Sequence, residues 1–308
     1  MRNAFLGIDT SCYRTSAALV FENGEFRSVR KLLETETGSI GLRQSDAVFM
    51  HIKNLPEILS ELFSEEVSLK AVGVSVSPTE EEGSYMPVFL AGVASAVSVS
   101  SALNIPIYRF SHQMGHIRAA LVGKEIPDFP FLAFHISGGT TECVEVNEGF
   151  KCHRLASSLD LKAGQAIDRI GVKMGFPFPA GAFLEKEALK SSKDFKIKPY
   201  MKDGCPSLSG LQNKAEKMMR DGEENADTAR FVFQFIGSAV SEMRKNFLNY
   251  KTVVYSGGVT ENSIIREMLK EKGSTFADGE LSGDNAVGIA ALAGDEYGKN
   301  TYLGNTTE

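Results

Sequence analysis

FPFLAFHISGGTTECVEVNEGF, residues 129–150, decides the fold. An apolar run enters Ser137-Gly138-Gly139, and TTECVEVN then alternates apolar with polar residues before a second turn signal at Glu148-Gly149. That pattern predicts strand, tight turn, strand. Near the N-terminus the same pattern occurs: residues 4–9 read as a strand, 15–21 as a second, and Asn23-Gly24 as the hairpin turn before a third. The echo predicts two related lobes facing a cleft. Residues 121–128, which hold Gly123 and Pro127, mark the boundary. The expected domains are therefore 1–122, 123–295, with a last helix free to pack back on the first lobe, and a fraying polar tail, 296–308.

Between the two openings, residues 47–63 carry apolar positions at helical spacing, with Pro56 as an interruption or a new start. Residues 69–75 read as a strand and 77–84 as a loop. A small-residue helix begins after 88, a strand covers 105–108, and a helix opens near His112. Beyond the second opening, 163–175 reads as a helix, 176–181 as a Pro/Gly loop and 226–247 as a long helix. A strand at 252–255 then meets Ser256-Gly257-Gly258 and a helix from about Glu261.

The chain of 308 residues is 43% hydrophobic, enough for two buried cores. Its net charge of −6 argues against a nucleic-acid binder acting alone, because Lys and Arg contacts to phosphate dominate such affinity. Cys12, Cys143, Cys152 and Cys205 form no C-x-x-C pair, which points away from a zinc ribbon or a secreted disulfide framework and toward a reducing, cytoplasmic setting. No stretch approaches the ~20 apolar residues of a membrane span.

Three Gly-containing turns follow predicted strands: Gly7 with Asp9-Thr10-Ser11, Ser137 to Thr141, and Ser256-Gly257-Gly258-Val259. Without Cβ atoms, backbone N–H groups can approach phosphate oxygens. Each alone is also an ordinary tight turn. Neither G-x-x-x-x-G-K-[ST] nor G-x-G-x-x-G occurs, so P-loop and Rossmann sites are disfavoured. His112 and His116 stand four apart, on one face of a helix and within reach of one metal ion, although such a pair is also common surface chemistry. Asp284, at a loop-to-helix junction, is the candidate oxygen ligand. Asp160 reads as an N-cap, Asp168 as a salt-bridged residue or a ribose contact, and Asn262 as a helix cap, a nucleotide contact or both. Cys12 reads as a small buried residue rather than a catalytic thiol.

IDTSC…TSAALV, SHQMGH, ISGGTTE, LDLKAGQAIDRIGVKMGFPFPAG, SLSGL, SGGVTEN and SGDNAVGIA occur here in the order shown by the TsaD family of tRNA threonylcarbamoyl-transferases, which the chain resembles over residues 4–295. The resemblance implies an α/β, two-lobed actin/hexokinase-like (ASKHA) ATPase fold with a nucleotide cleft between lobes. It also implies one divalent metal, with Fe, Zn and Mg not distinguished, and an adenine nucleotide or threonylcarbamoyl-adenylate. By position, His112, His116 and Asp284 would hold the metal. His135, Ile136, Ser137, Gly138, Gly139, Asp168, Gly181 and Asn262 would hold the nucleotide, with Gly257 and Gly258 of the third turn beside them.

The expected reaction is threonylcarbamoyl transfer to an adenosine beside the tRNA anticodon, aided by accessory proteins: a smaller TsaB-like paralogue, docking near residues 91–102, and a TsaE-like ATPase. Departures define the alternative, a catalytically degenerate nucleotide-binding paralogue. Where the family reads ETSCDET this chain reads DTSCYRT, so Tyr13 and Arg14 replace two acidic residues. SPTEEEGSYMPVF replaces a Gly/Pro-rich loop, Thr140 replaces a His, Ala180 replaces a Gly, and Met114 replaces an acidic residue between the histidines. The candidate RNA-facing cations are Lys186, Lys190, Lys193, Lys196 and Lys198, with Lys214, Lys217 and Arg220, which could equally be solvated helix faces.

Overall fold

The computed structural model describes residues 1–11, 13–34 and 42–304; Cys12 lies outside them. The chain divides into two compact units. Unit 1 gathers Met1–Ile126, Glu148–Cys152 and the chain from Asp284 onward, and unit 2 holds Pro127–Asn147 and His153–Gly283. The last helix of the 123–295 segment, expected to be free to pack back on the first lobe, belongs to unit 1.

Unit 1 is built on β1 (Arg2–Asp9), β2 (Arg14–Phe21), β3 (Phe26–Leu32), β4 (Val67–Ser77) and β5 (Ile107–Ser111), in the order β3-β2-β1-β4-β5. The first three strands form an antiparallel meander, and β4 and β5 are added in parallel. Gly24 supplies the positive φ of the first turn, with its N–H on Phe21 O at 2.9 Å. β1 is buried on both faces, so alternate residues serve different partners. Leu6 and Ile8 join the core beneath α1 (Gln44–Leu62) and α2 (Phe89–Leu103). Phe5 and Gly7 instead meet α10 (Val287–Gly304), the last helix. α3 (His112–Ala119) starts directly after β5.

Gly7 is therefore not a phosphate turn, as its sequence context suggested, but a mid-strand residue beside a helix. A Cβ there would collide with Ala286 O and the Ala290 amide, and one on Gly288 would collide with Gly115 O of α3. Pro56 does not interrupt α1, because the buried stripe Ala47, His51, Leu55, Ile58 and Leu62 runs across it and holds both halves to β2 and β3. The expected polar tail is helical as far as Gly304. Tyr297 sets its ring 5.6 Å from Phe5, and Asp295 accepts two hydrogen bonds from the Arg118 guanidinium, at 2.7 and 3.2 Å, so side chains beyond the apolar stretch still have partners.

Unit 2 repeats the order with β6 (Phe131–Ile136), β7 (Thr141–Asn147), β8 (Lys151–Ser157), β11 (Val253–Ser256) and β12 (Ser274–Phe276), arranged β12-β11-β6-β7-β8. Again a meander comes first and two parallel strands extend the other side. Phe134, Tyr255 and Phe276 stack across three strands with centroids 5.3 and 4.7 Å apart. Five helices, α4 (Ala163–Lys173), α5 (Gly181–Ala188), α6 (Ser209–Arg220), α7 (Asn225–Arg244) and α8 (Ser263–Leu269), contribute to the core or cover it, with the apolar face of α7 at its centre. A short ladder of β9 (Met201–Lys202) with β10 (Cys205–Pro206) and the one-turn α9 (Gly279–Ser282) complete the unit. After β11 the chain forms a 3-10 turn, Gly258–Glu261, and α8 begins only at Ser263, because Asn262 is its cap. Among the described residues no helix is long and apolar enough to cross a membrane.

Candidate metal centre and nucleotide turns

α3 opens on Ser111, whose hydroxyl accepts the Met114 N–H at 3.2 Å and so fixes where the first turn begins. That start puts His112 and His116 on one face, their rings 4.4 Å apart edge to face. Asn285 Oδ1 accepts the Val287 N–H at the opening of α10, and the preceding residue is Asp284. The close packing of α10 on α3 brings Asp284 to the histidines. His116 Nε2 lies 3.0 Å from His112 Nε2 and 3.2 Å from Asp284 Oδ1, and His112 Nε2 lies 3.6 Å from the same oxygen. The three sequence-predicted ligands are thus together in unit 1, with one donor atom each within 4.8 Å of the others. The histidine side chains are 14% and 2% exposed against 32% for Asp284, so the set opens to solvent on its carboxylate side.

Beneath it is a residue that the sequence did not assign to this centre. Asp9, 1% exposed at the end of β1, has Oδ2 2.6 Å from His112 Nδ1. Its other oxygen accepts the Ser75 hydroxyl at 3.0 Å and the Ser11 N–H at 2.9 Å. The only available signal was a carboxylate closing the first strand; the pairing of β1 with β4 and β5 supplies the rest. Charge explains the titration behaviour. Burial opposes a charge on His112, but Asp9 and Asp284 outweigh it and hold this imidazole well above its usual range. Burial, helped by His112, pushes His116 down, and hydrogen bonds from both histidines, outweighing partial desolvation, hold Asp284 well below the usual carboxylate range. The two-imidazole, one-carboxylate donor set is one that transition metals take, and the Asp9 carboxylate behind His112 adds negative charge that favours a cation.

Arg14 and Tyr13 stand nearby. Arg14 Nη1 donates to the Asp284 carbonyl oxygen at 3.4 Å, so a cation stands beside the carboxylate ligand's backbone. Tyr13 is 40% exposed, and its carbonyl accepts the Leu33 N–H.

In unit 2, parallel pairing of β6 with β11 sets Ser256 opposite His135, so Ser137-Gly138-Gly139 and Gly257-Gly258 leave the sheet at the same edge. The N-terminus of α4 abuts the first of these turns. Gly164 N–H reaches Ser137 O at 3.2 Å, and a Cβ on Gly164 would lie 2.6 Å from Gly138 Cα. Thr141 Oγ1 accepts the Ala163 N–H at 2.8 Å and caps the helix from outside. Among the described residues, a Cβ at Gly138, Gly139 or Gly258 would meet nothing within 4 Å, so these turns are open, whereas Gly257, at φ 92°, would drive a Cβ into Ile136 O. His135 and Ile136 lie buried in β6.

Asp168 accepts the Ala180 N–H at 2.8 Å, tying α4 to the residue before Gly181, and burial raises its pKa. Asn262 caps α8 through Oδ1 to the Ile265 N–H at 3.0 Å, and among the described residues its buried Nδ2 has no hydrogen-bond partner. Asp160 is not the cap of α4, whose N-cap is Lys162; it accepts the Leu208 and Ser209 N–H groups and the Ser207 hydroxyl, fixing the start of α6. Two of the candidate RNA-facing cations are paired locally, Lys190 with Glu187 and Lys193 with Glu223 and Asp227.

Solved structures show that the chain has the actin/hexokinase-like fold. The chain superimposes on HypF from T. kodakarensis with a TM-score of 0.59 at 12% identity, covering 98% of this chain and 48% of that one. It superimposes on the activator of 2-hydroxyisocaproyl-CoA dehydratase from Clostridium difficile with a TM-score of 0.56 at 14% identity, covering 97% of each. Sequence narrows the class to a family. A model of TsaD, tRNA N6-adenosine threonylcarbamoyltransferase, matches residues 32–291, and the chain belongs to that family. Relatives of that name include one from Bacillus subtilis, 30% identical with 93% of this chain and 88% of the relative covered. Another, from Streptococcus suis, is 29% identical with 97% and 94% covered.

Proposed function

We propose that this chain transfers a threonylcarbamoyl group from threonylcarbamoyl-adenylate to an adenosine of tRNA, with one divalent metal bound by His112, His116 and Asp284. The observation that carries the reading is the convergence of those three donors within 4.8 Å, in a chain that matches the transferase family over residues 32–291. In the reaction the exocyclic amine of adenosine attacks the carbamoyl carbonyl of a mixed anhydride. The new N–C bond forms, the C–O bond to phosphate breaks, AMP departs and the amine gives up a proton. No side chain need act as a covalent nucleophile. A metal at the His/Asp centre supplies positive charge to an oxygen that becomes more negative, and zinc or iron suits two imidazoles better than magnesium does.

The nucleotide is assigned to unit 2. Amides of the open Gly138-Gly139 turn, with Gly258 nearby, are suited to phosphate oxygens, and the N-terminus of α4 adds a favourable dipole. Asp168 is assigned a ribose hydroxyl. Asn262 Nδ2 offers a buried donor that a nucleotide oxygen can satisfy, which would offset its desolvation. The partners proposed are tRNA, a smaller paralogue and an accessory ATPase, in the cytoplasm. Complementation of a strain lacking its authentic transferase is the decisive test, read as threonylcarbamoyladenosine in bulk tRNA. Wild type should restore the modification and His112→Ala should not; equal rescue by both would defeat the metal reading.

Arg14 beside Asp284 favours a second reading, a nucleotide-binding paralogue that no longer transfers the acyl group. Under that reading the purified chain binds adenine nucleotide yet leaves tRNA unmodified even with every accessory protein present.

A further inference from the structure

We infer that Asp9 is a positioning residue for the metal centre, holding His112 in the tautomer that presents Nε2 to the metal. The inference rests on the metal site proposed above and extends it to a residue below the ligands. His112 has two ring nitrogens, and only the one without a proton can ligate. Nε2 faces His116 and Asp284, at 3.0 and 3.6 Å, and Nδ1 faces Asp9 Oδ2 at 2.6 Å. An ionised carboxylate is an acceptor only, so the proton in that contact belongs to Nδ1 and the lone pair of the metal-bound ring to Nε2.

Asp9 is itself held. Its Oδ1 takes the Ser75 hydroxyl from β4 and the Ser11 N–H from the turn after β1, which leaves Oδ2 for the histidine. The group is 1% exposed, so water does not compete for that oxygen. It acts from strands adjacent in the sheet, β1 and β4, on a helix whose first residue is the ligand. The ring is thus fixed from the rigid side of the unit, while Asp284 arrives from the more exposed side.

The test uses full-length protein with Co2+ as the probe, its affinity measured by competition against a chromophoric chelator and its coordination by the visible absorption band. Asp9→Asn should bind Co2+ about 10- to 100-fold more weakly and shift the band, as loss of a histidine's carboxylate partner does. Ser75→Ala removes a support of Asp9 without touching His112 and should weaken binding less. Asp9→Asn that folds and binds as tightly as wild type overturns the inference and leaves the metal site standing. Wild-type protein that takes up no Co2+ removes the metal site, and the inference with it. Should Asp9→Asn fail to fold, nitrogen NMR on the Zn2+-loaded wild type decides. A proton on His112 Nδ1 with Nε2 ligated is expected; the reverse assignment overturns the proposal.

Discussion

Gly139 and Gly164 look alike in sequence and differ in what a side chain would do. At Gly139 an added group projects into open space, so Gly139→Val should fold normally while blocking the approach of phosphate to the turn. Titration with a fluorescent adenine nucleotide should show at least about a tenfold loss of affinity, the scale of a hydrogen bond to a charged oxygen. At Gly164 the same change strikes the Gly138 backbone and should disturb the turn itself. His51 gives a pH prediction. Fully buried, with Nδ1 2.8 Å from Thr15 Oγ1, it is pushed down by desolvation to about 4. Between pH 6.5 and 4 the unfolded chain takes up a proton that the fold refuses, so this residue's contribution is complete above pH 6.5 and lost as pH falls toward 4. The loss is worth up to about 3 kcal/mol. Denaturant melts of His51→Gln should show a shallower fall over that window. At this scale the sequence spoke through spacing: His112 and His116 could be paired by eye. Asp9 could not, because its partners Ser75 and His112 lie 66 and 103 residues away and meet it only through strand pairing.

Helix α10 is the element on which unit 1 closes. Its close approach to β1 and α3 depends on Gly7 and Gly288, where any side chain meets backbone. Gly288→Val should lower stability by about 3 kcal/mol or more through overpacking, and calorimetry should show a depressed Tm. Metal uptake should fall with it, since the change also displaces the adjoining Asp284. Pro56 offers the opposite sign. Inside α1 it denies an amide to the turn before it, so Pro56→Ala should raise the Tm of a chain that already keeps this helix continuous by burying one stripe. Strand periodicity and the Asn23-Gly24 turn made the meanders of both units readable. Pro56 and the polar residues after 295 misled because local preference argues for a break there, and tertiary packing on β2, β3 and Phe5 overrides it.

For the molecule as a whole, charge sets the expectation. A chain of net charge −6, with Lys190 and Lys193 already committed to neighbouring acids, has little to offer a polyanion. The isolated protein should bind tRNA weakly in filter or fluorescence assays at physiological salt, and measurable binding should appear with a partner that supplies basic surface. Tight, salt-sensitive binding by the chain alone would contradict this. The internal echo that suggested two related halves is visible in the matched strand orders, and α10 belongs to unit 1, the return to the first lobe that the sequence reading allowed for the last helix. That return has a consequence in time. On the ribosome, His112 and Asp9 emerge early, all of unit 2 follows, and Asp284 comes only afterward, 168 residues behind His116. A nascent chain therefore cannot assemble the full donor set until unit 2 and Asp284 have been made, so metal loading follows synthesis of the second unit.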